Sequence, residues 1–153
     1  MNNLTHRKAR IADLPRLIAL LLEDELGVSR ESKSAVVHEN YIKAFYKIDS
    51  DPNQYLMVVE NGDEFIGTCH LTIMPSLTFI GSTRMQIEAV TVAEKYRGQN
   101  IGSWMFDQAI SYAKEHDVSI IQLTTNKKRP QAKHFYEKLG FEASHEGMKL
   151  YLE

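Results

Sequence analysis

Arg97, Gly98, Gly102 and Ser103 stand together in EKYRGQNIGSWMF, residues 94–106, where a strand-like run gives way to a helix-like one. An arginine, a bare backbone and a fresh helix start within so few residues suit an anion, above all a phosphate. The first amides of a helix have no partner inside it, point outward together and carry the positive end of the helix dipole. Glycine at 98 and 102 would let a phosphate approach the backbone without meeting a Cβ. Arg97 offers a charge-assisted hydrogen bond and Ser103 a hydroxyl. The motif is not a P-loop, because Gly-Lys-Ser/Thr is absent, and its spacing does not match the dinucleotide fingerprint G-x-G-x-x-G.

Other reactive side chains give weaker signals. His38, His70, His116, His134 and His145 show no metal-ligand spacing such as H-E-x-x-H, so no metal site is expected. Whether His70 shares a sheet face with Glu88 depends on strand register. Cys69 is the only cysteine, which excludes an internal disulfide and a thiolate metal cluster. It sits in an apolar run and reads as a small core residue rather than a covalent nucleophile.

The elements that must position the motif follow from periodicity. After an initial strand, Asp13 is placed to cap a helix in which Leu14, Leu17, Ile18, Leu21 and Leu22 recur at helical spacing, with Gly27 able to end the segment. A second helix is expected over Ser34 to Ile48. Tyr55 to Glu60 and Phe65 to Met74 read as a hairpin around Asn61-Gly62, and Pro75 ends its second strand. RMQIEAVTV alternates, placing Gln86, Glu88, Val90 and Val92 on one side and Met85, Ile87, Ala89 and Thr91 on the other. Beyond the motif, Ile101, Met105, Ala109 and Ala113 line a helical face with Phe106 and Ile110. SIIQLTT is a strand, PQAKHFYEKLG a short helix, and FEAS and MKLYL a terminal pair of strands. The order predicts a mixed α/β sheet with about four helices packed on it, in one domain spanning 1–153.

Composition bounds the function. The chain has 153 residues, 43% hydrophobic and 25% charged, as in an ordinary globular domain. A formal charge of −2 gives no global attraction to nucleic acid or anionic membrane. None of the helices is markedly basic, which ranks a DNA-binding regulator last. The N-terminal stretch MNNLTHRKARIADLP lacks a signal peptide's apolar core, and no apolar run approaches the ~20 residues of a membrane span. The expectation is a soluble cytoplasmic protein.

The stretch VTVAEKYRGQNIGSWMF resembles the strand-loop-helix unit of the GNAT superfamily of N-acetyltransferases, whose motif is Gln/Arg-x-x-Gly-x-Gly/Ala. Arg97, Gly98, Gln99 and Gly102 fit. Asn100 stands where the family usually has its first glycine, and asparagine tolerates left-handed backbone best after glycine. Further on, AKHFYEKLGF resembles the family's second signature, and RKARIADLPRLIALL its first strand and helix. The resemblance covers nearly the whole chain in the same order. It implies a central, mostly antiparallel sheet with a splayed parallel strand pair.

What the resemblance implies can be carried over residue by residue. The co-substrate is acetyl-CoA, its pyrophosphate on the backbone amides of Gly98, Gln99, Asn100, Ile101, Gly102 and Ser103, with Arg97 beside them. Its pantetheine arm pairs like a strand with Val90, Thr91 and Val92. Tyr136 matches the tyrosine that faces the CoA sulfur and could protonate the leaving thiolate. Glu88 is the candidate base, placed by alternation on the face of Val90 and Val92; a half-buried carboxylate there could have its pKa raised. Asn126 could contact the pantetheine arm. Arg129 departs from the family, which often has asparagine there; with Lys127 and Lys128 it could reach CoA phosphates.

The expected function is direct, ternary-complex transfer of acetyl from acetyl-CoA to a primary amine of a small molecule or protein, with no metal. The acceptor is not written in the motifs. Asn100 and Arg129 leave room for the alternative, a non-catalytic acyl-CoA sensor or regulatory module on the same fold. Exposed apolar ends of the terminal strands leave a homodimer open.

Overall fold

The structure, a computed structural model, describes residues 3–24 and 26–152. The chain falls into two compact units, Met1–Gln122 and Leu123–Glu153.

In the first unit the strands are β1 (Leu4–Lys8), β2 (Gln54–Asn61), β3 (Glu64–Met74), β4 (Thr83–Val92) and β5 (Val118–Gln122). They form one sheet in chain order, antiparallel throughout except for the parallel pair β4–β5. Helices α1 (Leu14–Leu22), α2 (Gly27–Arg30), α3 (Glu39–Asp49), α4 (Thr78–Gly81) and α5 (Ile101–Glu115) connect them. The expected mixed sheet is present. Periodicity cannot show α2 or α4, because four residues do not complete a repeat; α2 is a single turn, and α4 is a left-handed turn with φ of 52° at Phe79 and 58° at Ile80.

The two sheet faces are covered by different helices. Leu14, Leu17 and Ile18 of α1 and Phe45 of α3 bury against Val58 of β2, with Leu56 packed at the margin. On α5, Ile101, Met105, Phe106, Ala109 and Ala113 are buried, the face that helical spacing named apart from half-buried Ile110. Met105 Sδ lies beside Gly67 on the opposite sheet face from Val58.

Several boundaries differ from expectation. Asp13 precedes α1 but makes no cap bond with its side chain. Its carboxylate instead accepts from the Arg10 amide at 2.7 Å and from both Arg7 Nη atoms at 2.8 and 2.9 Å, tying β1 to the helix entry. Gly27 does not end α1, which stops at Leu22; Gly27 opens α2 and is buried where a Cβ would fall 1.9 Å from the Leu21 carbonyl oxygen. α3 begins at Glu39 rather than Ser34, because the His38 ring accepts from the Asn40 amide and caps it there.

β4 departs most from its sequence pattern. Thr68 pairs with Thr91, but His70 pairs with Glu88, so β4 carries one extra residue against β3. Ala89 sits in this bulge with φ of 52°. An extra residue reverses the alternation beyond it. Thr91, paired with Thr68, therefore shares the face of His70 and Glu88, and Val92, paired with Gly67, lies on the face of Ile87 and Leu71. The expected grouping of Glu88 with Val92 is corrected: the two project to opposite faces.

The second unit holds α6 (Pro130–Lys138), with Pro130 at its first position and left-handed Gly140 following its C-terminus. Phe135 and Tyr136 are in edge contact at 5.5 Å, and Tyr136 meets Phe141 at 6.1 Å. FEAS and MKLYL do not form the expected strands: no described residue beyond Gln122 is in a strand. Met148, Leu150 and Leu152 keep the apolar alternation, yet each is more than four-fifths exposed. A strand exists only where a neighbour takes its amides and carbonyls, and alternation cannot supply one.

Candidate active site

The turn from β4 into α5 has the form that an anion site needs. After Val92 the chain makes a 3-10 turn, Glu94–Tyr96, clamped from outside itself. Lys95 and Tyr96 both bond Glu64 at the start of β3, and the Glu94 amide donates to Glu23 Oε2 at 2.9 Å. Gly98 then adopts φ of 76° and Asn100 φ of 63°, the left-handed conformation that asparagine tolerates. A Cβ on Gly98 would meet nothing within 4 Å, so the glycine serves backbone conformation rather than space within the protein.

Asn100 is the N-cap of α5, and its side chain makes no cap bond. The first helical bond runs from the Trp104 amide to the Asn100 carbonyl at 3.1 Å. The preceding amides of Ile101, Gly102 and Ser103 are the ones a helix cannot satisfy internally. A fifteen-residue helix with an uncapped first turn therefore points its positive end out of this turn. Ile101 itself is buried, so it can contribute its amide and not its side chain. Arg97 is exposed, and its Nε donates to the Val92 carbonyl at 3.0 Å. That bond holds the guanidinium at the end of β4, beside the turn.

The open edge of β4 is the second feature. β5 pairs with β4 only from Thr83 to Gln86, while β4 continues to Val92. The stretch from Ile87 to Val92 therefore has β3 on one side and no strand of this unit on the other. The Ala93 amide bonds the Ile66 carbonyl across β3 at 2.8 Å, so the neighbouring Val92 amide points the other way, into the open edge. An extended polyamide arm fits such an edge by strand addition.

The Glu88 side chain is 55% exposed. The burial falls on its partner across the strands, His70, whose side chain is 16% exposed and whose pKa burial pushes down, against the raising influence of Glu88. His70 Nδ1 lies 3.9 Å from Glu88 Oε1. His70 Nε2 lies 2.8 Å from Gln54 Oε1, and Gln54 Nε2 donates to Asp51 Oδ2 at 2.9 Å. This row of Asp51, Gln54, His70 and Glu88 escaped the sequence reading. Alternation in β2 and β3 was visible, but their register was not.

Cys69 is buried, and burial pushes its thiol up to about 12, so it is held protonated. Among the described residues no group of three or more His, Cys, Asp or Glu could hold a metal ion. Among the described residues no helix is long and apolar enough to cross a membrane.

In the second unit, Asn126 closes a local turn, its carbonyl accepting from the Arg129 amide and its Oδ1 from the Lys128 amide, both at 2.9 Å. Arg129 is the N-cap of α6, and Lys127 pairs with Glu146 at 3.8 Å. Burial raises the Tyr136 phenol's pKa and the charge of Arg129 opposes the rise.

Comparison with known proteins bears on this geometry. A solved transcriptional regulator from Bacillus halodurans C-125 is 43% identical, superposes with a TM-score of 0.94, and covers 98% of this chain and all of its own. A protein from Clostridium acetobutylicum described as a predicted acetyltransferase and solved with acetyl-CoA, 20% identical over 97% of this chain and 96% of its own, shares the fold with a TM-score of 0.76. Aminoalkylphosphonate N-acetyltransferase of Salmonella typhimurium LT2 is 33% identical over 62% of this chain. The matches span about three fifths of the length of such curated relatives, 61% in this instance. The acetyltransferase (GNAT) family model matches residues 16–141, from within α1 through the turn between β4 and α5 to just past α6. The chain therefore belongs to the GNAT family of acetyltransferases.

Proposed function

We propose that the protein transfers acetyl from acetyl-CoA to a primary amine within a ternary complex, in one domain spanning both units. The observation that carries this reading is the uncapped N-terminus of α5, entered through left-handed Gly98 and Asn100 and lying at the end of a β4 edge left open beyond Gln86. The amides of Gly98, Gln99, Asn100, Ile101, Gly102 and Ser103 would hold the pyrophosphate, Arg97 would add charge, and Val90, Thr91 and Val92 would pair with the pantetheine arm. The bound thioester supplies the activated acetyl group. The Val92 amide, aimed into the open edge, would polarise its carbonyl. Tyr136 as proton donor to the thiolate, and Asn126 and Arg129 as co-substrate contacts, rest on the family resemblance.

The Salmonella relative's name makes aminoalkylphosphonates the first acceptors to try, ahead of polyamines, amino acids and lysine peptides. Release of free thiol from acetyl-CoA, followed across that panel, tests the reading; acceptor-dependent thiol from at least one amine is expected. The second reading is a non-catalytic acyl-CoA sensor, favoured by the 43% identity to a protein described as a transcriptional regulator. Calorimetric binding of acetyl-CoA without thiol release from any amine would favour it. No binding heat at millimolar acetyl-CoA would overturn both.

A further inference from the structure

Two hydrogen-bond acceptors face one another on the sheet face covered by α1 and α3. Asp51, as a carboxylate, only accepts, so Gln54 must turn its NH2 toward it, as the 2.9 Å bond shows. Gln54 Oε1 is then the atom left for His70, and it too can only accept. The 2.8 Å contact with His70 Nε2 therefore requires the proton on Nε2. In the neutral ring the lone pair is on Nδ1, and Nδ1 faces Glu88 Oε1 at 3.9 Å. That gap is beyond a hydrogen bond, and neither atom can donate across it. It suits a donor with several protons placed beside both atoms, as an ammonium group is. Glu88, largely exposed, leaves the gap accessible, while His70 is held by its strand pairing to Leu56 and Glu88.

We propose that His70 and Glu88 together receive the acceptor amine, with His70 Nδ1 as the atom that takes its proton and Gln54 and Asp51 as positioning residues. This rests on the acetyl-transfer reading. A free alkylammonium has a pKa of about 10.4 and an imidazole about 6.5, so transfer of one ammonium proton to Nδ1 is uphill and leaves only a small fraction of the bound amine neutral at a time. That transfer frees the nitrogen lone pair, which then bonds the thioester carbonyl carbon as the carbonyl π pair moves onto oxygen. The tetrahedral species collapses with the C–S pair leaving on sulfur. The nitrogen's second surplus proton goes to that thiolate, giving amide and free thiol, and the imidazolium returns its proton to water along exposed Glu88. The charged and titratable groups facing the ring are Glu88 from β4 and, through Gln54, Asp51 from the turn before β2.

His70→Asn tests this, because an asparagine oxygen near the Nδ1 position still accepts a hydrogen bond but takes no proton. With the best amine of the panel, kcat should fall by about 10²- to 10⁴-fold. The KM for the amine should stay within about threefold of wild type, and the acid limb of the kcat/KM profile should vanish. Glu88→Gln should raise the KM for the amine and keep an acid limb. Full kcat with the limb intact in His70→Asn overturns the assignment, as does a fall in acetyl-CoA affinity that accounts for the whole loss. Imidazole nitrogen NMR of the wild-type protein reads the ring without turnover: Nε2 protonated and Nδ1 bare at pH 8 is expected, and the opposite tautomer overturns the assignment. A wild-type chain that acetylates no amine defeats the transfer reading itself and this assignment with it.

Discussion

Ala89 holds a left-handed backbone in the middle of a strand, at φ of 52°, and its side chain is exposed. A residue with a Cβ in that conformation costs about 1–2 kcal/mol. Ala89→Gly removes this strain and, at an exposed site, no core contact. Against it stands the greater backbone freedom that glycine loses on folding, about 0.5–1 kcal/mol. The net expectation is a protein more stable by about 0–1.5 kcal/mol, which at roughly 2–4 °C per kcal/mol raises Tm by up to about 6 °C. Ala89→Val acts in the opposite direction, because a β-branched residue fits positive φ worse still; a loss of about 2 kcal/mol or more is expected. Urea denaturation with scanning calorimetry of the three proteins measures both signs. The functional consequence follows the bulge: a strand that relaxes it turns the Val92 amide away from the open edge, so kcat/KM of Ala89→Val should fall more than its folded fraction. Destabilisation of Ala89→Gly by 1 kcal/mol or more, with Ala89→Val neutral, would refute the bulge and the face reversal derived from it.

Arg97→Ala removes the guanidinium tethered to the Val92 carbonyl; since the side chain is exposed, the Kd for acetyl-CoA by calorimetry should rise only roughly three- to tenfold, and less at high salt. Tyr136→Phe should lower kcat about a hundredfold when chemistry is rate-limiting, and an undiminished rate would remove its assigned role. Arg7 beside Asp13 holds that carboxyl below the ordinary carboxylate range. Its contribution is fully present above about pH 4 and is lost as pH falls through the lower folded value. Asp13→Asn should therefore be less stable than wild type by about 1–3 kcal/mol at pH 7, a gap that narrows toward pH 2 in urea titrations. Cys69 should resist an aromatic disulfide reagent in the native protein and react once unfolded, since burial keeps it a thiol; rapid native labelling would contradict its place in the core.

The helix start was legible before the fold. EKYRGQNIGSWMF announced it, and the left-handed backbone that asparagine was read to tolerate is found at Asn100; the left-handed turn at Gly98 was not foreseen, since that glycine was read only as room for a phosphate. The α5 stripe of Ile101, Met105, Ala109 and Ala113 was equally readable, because residues on one helical face are set by neighbours a turn away. Short elements were less readable: α2 and α4 are too brief to repeat, and the terminal apolar alternation around Met148 and Leu150 found no partner strand.

The sequence by itself determined the local chemistry: where α5 begins, which of its faces is apolar, and that the turn before it carries an arginine and flexible backbone. Only the tertiary structure decided what faces what. The bulge at Ala89 sends Glu88 and Val92 to opposite sides of the sheet, and pairing of β3 with β4 brings His70 to Glu88 and, through Gln54, to Asp51. Local propensity acts over a few residues along the chain. Strand register is chosen by the packing of α1, α3 and α5 onto both faces at once, a sum over contacts distant in sequence that no single stretch contains.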